Sequence, residues 1–502
     1  MLEPIKITLD SLNLGTIAPM AIAIVGALGI LLTDIFNKNK HKSLYVVLVA
    51  LFLIFDLFTL LAFNGDSRGL FDMMLLDGIS KLSQCIIIIG SIFFIFFSLS
   101  KLRFQEFRYA EFFALYLFAI AGFQFMVSSD SLILIFVGLE TASLAIYTMI
   151  AMHNRMVSIE AAVKYFTMGA LAAAFFVFGS MMFYAVTGSV ELGQIAQLLS
   201  EDGFLVVDNY ANYAMVLIGF VFMFAAIGFK LSLFPYHIWV PDVYQGTTSA
   251  MAGFLSVIPK MAGFVVALRF FEIFIHANDM AIQIMLYVTV VLTMTIPNLI
   301  ALQQTDIKRM LAYSSISNAG MAMAAILIGT HQGIVALFLY WILFTITNFG
   351  SFGMLWLNRG KDFDDNKSTP YAFKKFSGLA QISPFTASIM AMFLFTLTGL
   401  PPFALFWGKM YLVASAVNAE HIGLAVIIIV NSVISAYYYL RPISYMFLRD
   451  PETEFKDTRF MQNASNPIKT VVGFAVLLVI GSVLLIDPLL AIIEQYVTNS
   501  GF

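Results

Sequence analysis

Long, continuous runs of apolar residues separated by short polar breaks occupy most of the chain. The segments QCIIIIGSIFFIFFSLS at 84–100 and TVVGFAVLLVIGSVLLI at 470–486 show no alternation of apolar and polar positions. A membrane-spanning helix needs roughly 20 mostly apolar residues, whereas a membrane β-strand alternates over about 10. The pattern therefore predicts membrane-spanning helices rather than a barrel.

Fourteen such spans are predicted, and two of them contain internal breaks. The seventh carries Pro235 and Pro241, and the twelfth carries Gly399, Pro401 and Pro402. Proline removes a helical hydrogen bond, and a break at membrane depth persists only where protein or water satisfies the freed backbone. The predicted spans are 14–36, 43–63, 75–99, 109–127, 130–152, 159–188, 211–246, 249–276, 280–303, 307–329, 333–357, 377–416, 421–447 and 468–492.

Two interrupted spans, five helices apart, are typical of inverted repeats in which broken helices line a polar path at the bilayer midplane. We therefore predict an all-α polytopic membrane protein with two inverted five-helix repeats. The predicted organisation is an N-terminal three-helix segment (1–108), a first repeat of spans four to eight (109–276), a second repeat of spans nine to thirteen (280–447), and a C-terminal loop with a final helix (448–502).

The composition supports a single membrane domain and excludes several classes of function. Of 502 residues, 60% are hydrophobic and 11% are charged, against about 25% charged residues in soluble proteins. The single cysteine, Cys85, excludes a disulfide framework or a Cys-ligated iron–sulfur centre within this chain. The net charge of −3 gives no indication of a nucleic-acid partner, and the sequence has no phosphate-binding loop or dinucleotide fingerprint.

The distribution of positive charge predicts the orientation in the membrane. Most of the 27 lysines and arginines fall in odd-numbered loops, whereas the even-numbered loops hold only Arg68. Because cytoplasmic loops carry the excess of positive charge, the odd loops are predicted to be cytoplasmic and both termini to lie on the opposite, periplasmic side. Lys81, Arg269 and Arg441 lie near span ends, where we expect their side chains to reach the membrane surface.

Four lysines lie well inside apolar sequence, where a charge costs about 2.5 to 3.5 kcal/mol on the most lenient scale. A buried lysine can release its proton near neutral pH because desolvation disfavours the ammonium form, whereas arginine stays charged. These lysines are therefore candidates for a proton relay; the alternative is that they only pair with carboxylates to stabilise helix packing. The four residues are Lys164, Lys230, Lys260 and Lys409.

Three further titratable residues accompany the lysines. Glu140, in the middle of the fifth span, needs a cation or a proton and could modulate a lysine, because a Lys–Glu pair in low dielectric stabilises both charges. His237, two residues after Pro235, could carry protons or serve as a hydrogen-bonded structural residue. Asp56 is an intramembrane carboxyl without an evident partner, and Glu160 lies four residues before Lys164, where a local pair is as plausible as a function.

Four sequence blocks resemble the antiporter-like membrane subunits of respiratory NADH:quinone oxidoreductase (complex I). The PDVYQG form of the second block resembles the N type of subunit rather than the L or M type, and Lys409, in place of a glutamate, also favours N over M. Gln245 and Tyr236 are departures, since the N type commonly has Glu and Phe there. The blocks are EAAVKYFTMGALAAAFFVFGSMMFYAVTGS, FKLSLFPYHIWVPDVYQGTTSAMAGFLSVIPKMAGF, DIKRMLAYSSISNAGMA and TGLPPFALFWGKMYLV.

The resemblance implies a role for each candidate residue. Glu140 and Lys230 would be the coupled pair of a first half-channel, Lys260 the central relay, Lys409 the terminal lysine of a second half-channel and Lys164 the sixth-span lysine. Protons would enter from the cytoplasm and leave on the far side, driven by quinone reduction elsewhere in the complex through a change in the Glu140–Lys230 interaction.

The resemblance also implies the setting of the chain. No cofactor is expected in it; NADH, FMN, iron–sulfur clusters and quinone would bind to partner subunits. The partners would be neighbouring antiporter-like and small membrane subunits in the bacterial inner membrane. Two alternatives remain: a subunit of a multisubunit cation/proton antiporter with the same fold, and a structural membrane spacer that carries no protons.

Overall fold

The computed structural model describes residues 12–36, 41–63, 66–100, 106–201, 210–276, 279–358, 371–451 and 465–501. Within them, 13 helices are long and apolar enough to span a membrane. The remaining predicted span is the interrupted twelfth (377–416), which forms three shorter helices. Many cations behind the predicted orientation, such as Lys38, Lys101 and Lys361, lie outside the described residues.

The N-terminal segment contains three long helices, α1 (Ala18–Phe36), α2 (Lys42–Ala62) and α3 (Gly78–Phe96). Between α2 and α3, strands β1 (Ser67–Gly69) and β2 (Met74–Leu76) form an antiparallel hairpin in which Ser67 pairs with Leu76. The prediction that the third span begins at 75 was therefore wrong by three residues. Helix α3 begins after Asp77, whose carboxylate caps it by accepting a hydrogen bond from the Ser80 amide.

The next part of the chain contains seven helices. It includes the seventh span predicted for the chain, which is broken as expected. Helix α8 ends at Leu231, and α9 begins at Trp239 after a non-helical segment. The helices are α4 (Ala110–Val127), α5 (Leu132–Ala151), α6 (Met156–Thr187), α7 (Leu192–Glu201), α8 (Tyr210–Leu231), α9 (Trp239–Gly246) and α10 (Ser249–His276).

A second set of seven helices follows, and it contains the twelfth predicted span, which is also broken. The set ends at Leu448. The division of the chain into inverted repeats at 109–276 and 280–447 stays a prediction. The helices are α11 (Met280–Leu302), α12 (Ile307–Ile328), α13 (His331–Leu357), α14 (Leu379–Ile382), α15 (Pro384–Thr398), α16 (Ala404–Asn418) and α17 (Ile422–Leu448).

The final predicted span is two helices rather than one, α18 (Asn466–Leu484) and α19 (Ile486–Thr498). Pro488 has no amide hydrogen to donate to the carbonyl one turn earlier, so a continuous helix would lose a hydrogen bond at the junction. Helix α19 is amphipathic, and its buried face packs against α3 and α13. The residues of that face are Ile486, Leu490, Ile493 and Val497.

The interior of the molecule is formed by α10, α12 and α13, whose apolar stretches are almost wholly buried, whereas α6 and α18 lie at the periphery. The freed backbone of the broken α8–α9 span is satisfied locally. The Trp239 indole donates to the Phe229 carbonyl at 3.1 Å, and the Phe234 amide donates to the Thr293 hydroxyl at 2.9 Å. Such partners allow a helix to end inside a membrane protein.

Arg269 does not reach the membrane surface, so the expectation for this residue was wrong. Its guanidinium is buried and forms an ion pair with Asp77 at 2.9 Å while also donating to the Ser80 hydroxyl at 2.8 Å. A buried arginine requires such a compensating carboxylate. The pair connects α10 to the beginning of α3.

Helices α4 and α5 approach each other closely at two glycines, and this contact gives a stability prediction. A Cβ on Gly122 would lie 2.6 Å from the Gly138 carbonyl oxygen, whereas a Cβ on Gly473 in α18 meets nothing within 4 Å. We expect Gly122→Ala to lower stability by about 1–3 kcal/mol through overpacking and Gly473→Ala to leave it unchanged. Thermal aggregation of the detergent-solubilised variants measures the effect, and equal midpoints would contradict the predicted contact.

Candidate functional site

Three of the four predicted lysines are buried in the interior. Lys230, Lys260 and Lys409 are 4%, 1% and 6% exposed, respectively, and they lie on α8, α10 and α16. Such burial is unusual for lysine unless its ammonium group is well supplied with partners. We refer to these three residues as the buried lysines.

Lys230 lies in the last turn of α8, next to the break. Its ammonium donates to the Ser143 hydroxyl at 3.1 Å and lies 5.5 Å from the centre of the Phe123 ring. Ser143 is on α5 and Phe123 on α4, so three helices meet around the charge. A hydroxyl and an aromatic face attract a cation without neutralising it.

Glu140 lies one helical turn before Ser143 on α5 and is half-buried. It is close enough to Lys230 for an electrostatic interaction. Within the described part of the chain, however, the ion pairs shorter than 4.0 Å do not include one between these two residues. The predicted pair is therefore adjacent but not in contact.

Lys260 lies near the middle of α10, directly after Pro259. Its ammonium donates to the carbonyl oxygen of Ser315 at 2.7 Å and to the hydroxyl of the same residue at 2.9 Å. Pro259 has no amide hydrogen to donate to the carbonyl of Leu255 one turn earlier. Lys260 thus bridges α10 and α12.

Lys409 is bound by the broken end of α15. Its ammonium donates to the Thr398 carbonyl at 2.9 Å and more weakly to the Leu397 carbonyl at 3.4 Å. The last carbonyls of a helix have no helical partner and carry partial negative charge, so they suit a cation. Gly399 allows this contact: it has a φ of +76°, and a Cβ there would lie 2.7 Å from the Lys409 Cδ.

The buried lysines share one chemical property. Each ammonium is bound by hydroxyl or carbonyl oxygens, and among the described residues the carboxylates in ion pairs belong to other cations. Loss of a proton from Lys260 or Lys409 therefore breaks no ion pair, whereas loss of a proton from Lys230 also removes its attraction to Glu140. The arrangement can therefore hold and release a proton at low cost in charge.

A polar cluster on α12, which sequence reasoning missed, extends from Lys260 towards Lys409. Ser314, next to Ser315, shares a hydrogen bond with the Tyr439 hydroxyl, and Asn318 donates to the Ser314 carbonyl at 2.7 Å. The Tyr340 hydroxyl donates to the Asn318 amide oxygen. The signal was present in YSSISNAGMA, since α12 is the least hydrophobic of the thirteen long helices.

The Tyr340 backbone brings this cluster close to the last buried lysine. A Cβ on Gly408, the residue before Lys409, would lie 3.0 Å from the Tyr340 Cα. We call Ser314, Ser315, Asn318, Tyr340 and Tyr439 the α12 cluster. It places hydrogen-bonding groups between Lys260 and the segment that carries Lys409.

Lys164 is not buried with the others, so the expected position deep in the interior was wrong. It lies on an outward face of the peripheral helix α6, and 45% of its side chain is exposed. Its ammonium pairs with Glu160 at 2.8 Å and with Asp242 at 3.0 Å. Asp242 also binds Arg309 at 3.3 Å, so the charges alternate in sign.

Two other residues singled out in the sequence lie near these groups. Gln245 accepts a hydrogen bond from Arg309 at 2.5 Å, so its amide takes part in the charged cluster around Lys164. His237 lies in the non-helical segment between α8 and α9, with its ring 5.5 Å from that of Phe234. The imidazole is buried, and its Nδ1 has no hydrogen-bond partner.

Comparisons with known proteins agree with this architecture. Residues 129–435 match the family model described as NADH:quinone oxidoreductase/Mrp antiporter, TM. Over their full lengths, this chain and the NADH-quinone oxidoreductase subunit N of Sulfurimonas denitrificans are 54% identical. The subunit N of Helicobacter hepaticus is 42% identical, with 99% of this chain and 100% of that protein covered.

Solved structures show the same fold. A chain of respiratory complex I from Thermus thermophilus superimposes with a TM-score of 0.76 at 29% identity, covering 94% of this chain and 98% of that one. A chain of the Mrp complex from Dietzia sp. gives a TM-score of 0.80 at 18% identity over 97% of this chain and 98% of that one, which shows the fold alone. The full-length sequence relatives decide between these neighbours: the chain belongs to the NADH-quinone oxidoreductase subunit N family.

Proposed function

We propose that the buried lysines carry protons through this chain as part of an NADH-quinone oxidoreductase. A member of the subunit N family is an antiporter-like membrane subunit of that enzyme. The observation that carries the proposal is the binding of all three ammonium groups by neutral oxygens in the interior. Protons would pass from Lys230 to Lys260 and Lys409, with intervening water.

The α12 cluster supports the second half of this path. Hydroxyl groups both donate and accept hydrogen bonds, so a chain of serine and tyrosine hydroxyls can orient water between two lysines. Ser315 binds Lys260 directly, and Tyr340 reaches the segment before Lys409. We propose that this cluster organises the transfer between these two lysines.

We propose that Glu140 controls the first step. In the present arrangement Lys230 donates to Ser143, one turn away from Glu140. A small shift of α8 or α5 would bring the ammonium to the carboxylate and retain its proton, and the reverse shift would release the proton towards Lys260. Such a change, propagated from the quinone-reducing part of the enzyme, would couple electron transfer to proton movement.

Lys164 and His237 receive different roles in this proposal. The alternating charges of Glu160, Lys164, Asp242 and Arg309 lie on the surface of the chain, where we propose that Lys164 transfers or senses charge at the contact with a neighbouring membrane subunit. His237, buried beside the broken span that follows Lys230, is an additional candidate for the relay.

The wider setting is proposed from the family. The partners would be other membrane subunits of the enzyme, and NADH, FMN, iron–sulfur clusters and quinone would bind in them rather than in this chain. The location would be a bacterial inner membrane, with both termini on the periplasmic side. The two sets of helices would be inverted repeats, at 109–276 and 280–447, each contributing one half-channel.

The two alternatives make different predictions from this proposal. A cation/proton antiporter subunit would support sodium-dependent exchange without NADH oxidation and would copurify without flavin or iron–sulfur subunits. A structural spacer would tolerate loss of the buried lysines. The full-length similarity to subunit N proteins favours the NADH-quinone oxidoreductase over the antiporter.

Replacement of a buried lysine tests the proposal directly. We expect Lys230→Ala and Lys409→Ala each to reduce NADH-driven proton pumping by about tenfold or more, since loss of an acid–base group commonly has effects of this size or larger. Pumping by the assembled enzyme in inverted vesicles is the measurement. Lys469→Ala, at an exposed lysine, is the matched control. Unchanged pumping in both variants would leave the spacer as the better explanation.

The Gly399 contact gives a second test. Gly399→Ala would combine an unfavourable left-handed backbone with a clash against the Lys409 side chain. Gly188→Ala has the same backbone strain, at a φ of +70°, but meets no atom within 4 Å. We expect strong inhibition of pumping in assembled Gly399→Ala enzyme and near-normal pumping in Gly188→Ala. Equal activities would argue against a need for the close approach of Lys409 to the end of α15.

The α12 cluster is tested by removing one hydroxyl. Tyr340→Phe keeps the ring but deletes the donor to Asn318, so we expect slower pumping with normal assembly. Tyr437→Phe on the exposed face of α17 is the control. The ratio of protons pumped to NADH oxidised should fall only in the first variant. If Tyr340→Phe retains the normal ratio and rate, proton transfer does not depend on this hydroxyl.

A further inference from the structure

Asp56 is a buried carboxyl that the proposed lysine path does not use. It lies on α2, is completely inaccessible to solvent, and precedes the end of that helix at Ala62 by six residues. At 1.5 Å per residue, the carboxyl-bearing residue lies about 9 Å inside the helix end. A carboxylate at this depth requires a cation or a proton.

The surroundings of Asp56 supply one hydrogen-bond donor. The Gln124 amide Nε2, from α4, donates to Asp56 Oδ2 at 2.9 Å. Asp56 Oδ1 and Gln124 Oε1 are both buried oxygens without a hydrogen-bond partner. The same Gln124 nitrogen donates to Gln84 Oε1 at 3.1 Å, and Gln84 donates to the Ser128 hydroxyl at 2.6 Å.

No cation in the described part of the chain compensates Asp56. Lys81 interacts electrostatically with Asp66 and Asp77, and Asp34 accepts a hydrogen bond from Tyr45. Arg269 is engaged by Asp77. The titratable side chains on the three helices packed against α2, namely α1, α3 and α4, are Asp34, Lys81, Cys85, Glu111 and Tyr116.

The two unpartnered oxygens are explained if the carboxyl carries a proton. An ionised Asp56 would be an uncompensated charge in low dielectric, with only one neutral donor. In the protonated form, the Oδ1 hydroxyl becomes a donor, and Gln124 Oε1 is the free acceptor on the side chain that already binds Oδ2. Rotation about the broad terminal torsions of the two side chains closes this second bond. The result is a cyclic acid–amide pair in which both oxygens are satisfied.

We propose that Asp56 is a proton-binding site of this chain, held as a neutral carboxylic acid by Gln124. Gln84 and Ser128 connect it to the end of the bundle at which Arg269 meets Asp77. The site does not include the buried lysines, so this proposal can be correct even if the proposed pumping path is wrong, and the reverse also holds. Asp77 shows the contrasting arrangement, since it is also buried but pairs with an arginine.

Infrared spectroscopy of the assembled enzyme tests this protonation state. A protonated carboxylic acid has a C=O stretching band separate from the amide and carboxylate bands. Enzyme labelled with ¹³C at the aspartate side-chain carboxyl should show an isotope-shifted acid band at neutral pH. We expect Asp56→Asn to remove one such band and Asp487→Asn, at an exposed aspartate, to leave the spectrum unchanged.

A second variant keeps the test decisive if Asp56→Asn does not assemble. Gln124→Leu removes the amide partner, so the acid band should move to the higher frequency of a carbonyl that accepts no hydrogen bond. The proposal is overturned if the wild-type enzyme shows no protonated aspartate at neutral pH. It is also overturned if Asp56→Asn or Gln124→Leu leaves the acid band unaltered.

Discussion

A lysine ammonium group inside a membrane protein must be surrounded by oxygen atoms, and this requirement organises the interior of the molecule. Desolvation of the charge is offset only where acceptors are fixed in place before the charge arrives. The chain supplies these acceptors from a serine on a facing helix for Lys230 and Lys260, and from the carbonyls of a helix end for Lys409. The end of α15 thus interrupts the span and also supplies the carbonyl oxygens that bind the Lys409 ammonium.

The same requirement separates two kinds of buried charge. Arg269 forms an ion pair with Asp77, so this pair has a structural role in joining α10 to α3. The buried lysines donate hydrogen bonds to neutral hydroxyl and carbonyl oxygens, so each of them can lose its proton without breaking an ion pair. The distinction follows from the chemistry of the two side chains, since guanidinium cannot be deprotonated in proteins and an ammonium can.

Close packing makes these contacts possible. Glycine at 399 lets the aliphatic part of Lys409 pass against the backbone, and glycine at 408 lets α16 approach Tyr340. Bulky aromatic side chains fill the remaining interior, including Trp341 and Tyr340, which are completely buried. Such packing leaves few gaps, so hydrogen-bonded side chains define where water can sit and a proton can move.

Apolar run lengths and proline positions predicted most of the helices, the breaks in the seventh and twelfth spans and, of four candidate lysines, the three that are buried, because these depend on local composition and on the thickness of a bilayer. The sequence pattern did not show whether a given lysine faces the interior or the outside of the bundle. Lys164 and Lys260 occur in similar apolar sequence, yet one faces outward on α6 and the other lies in the centre of the bundle.

Pairing also needed the tertiary structure. Arg269 and Asp77, or Asp56 and Gln124, are far apart in sequence and meet only after several helices have packed. The α12 cluster was visible as unusually polar residues, but its tyrosine partners come from α13 and α17. The sequence by itself determined that some charges would be buried, but it misplaced two of them, since Lys164 is exposed and Arg269 is buried. Only the packing of helices decided whether each charge meets a carboxylate, a carbonyl or a hydroxyl, because that choice depends on neighbours distant in the chain.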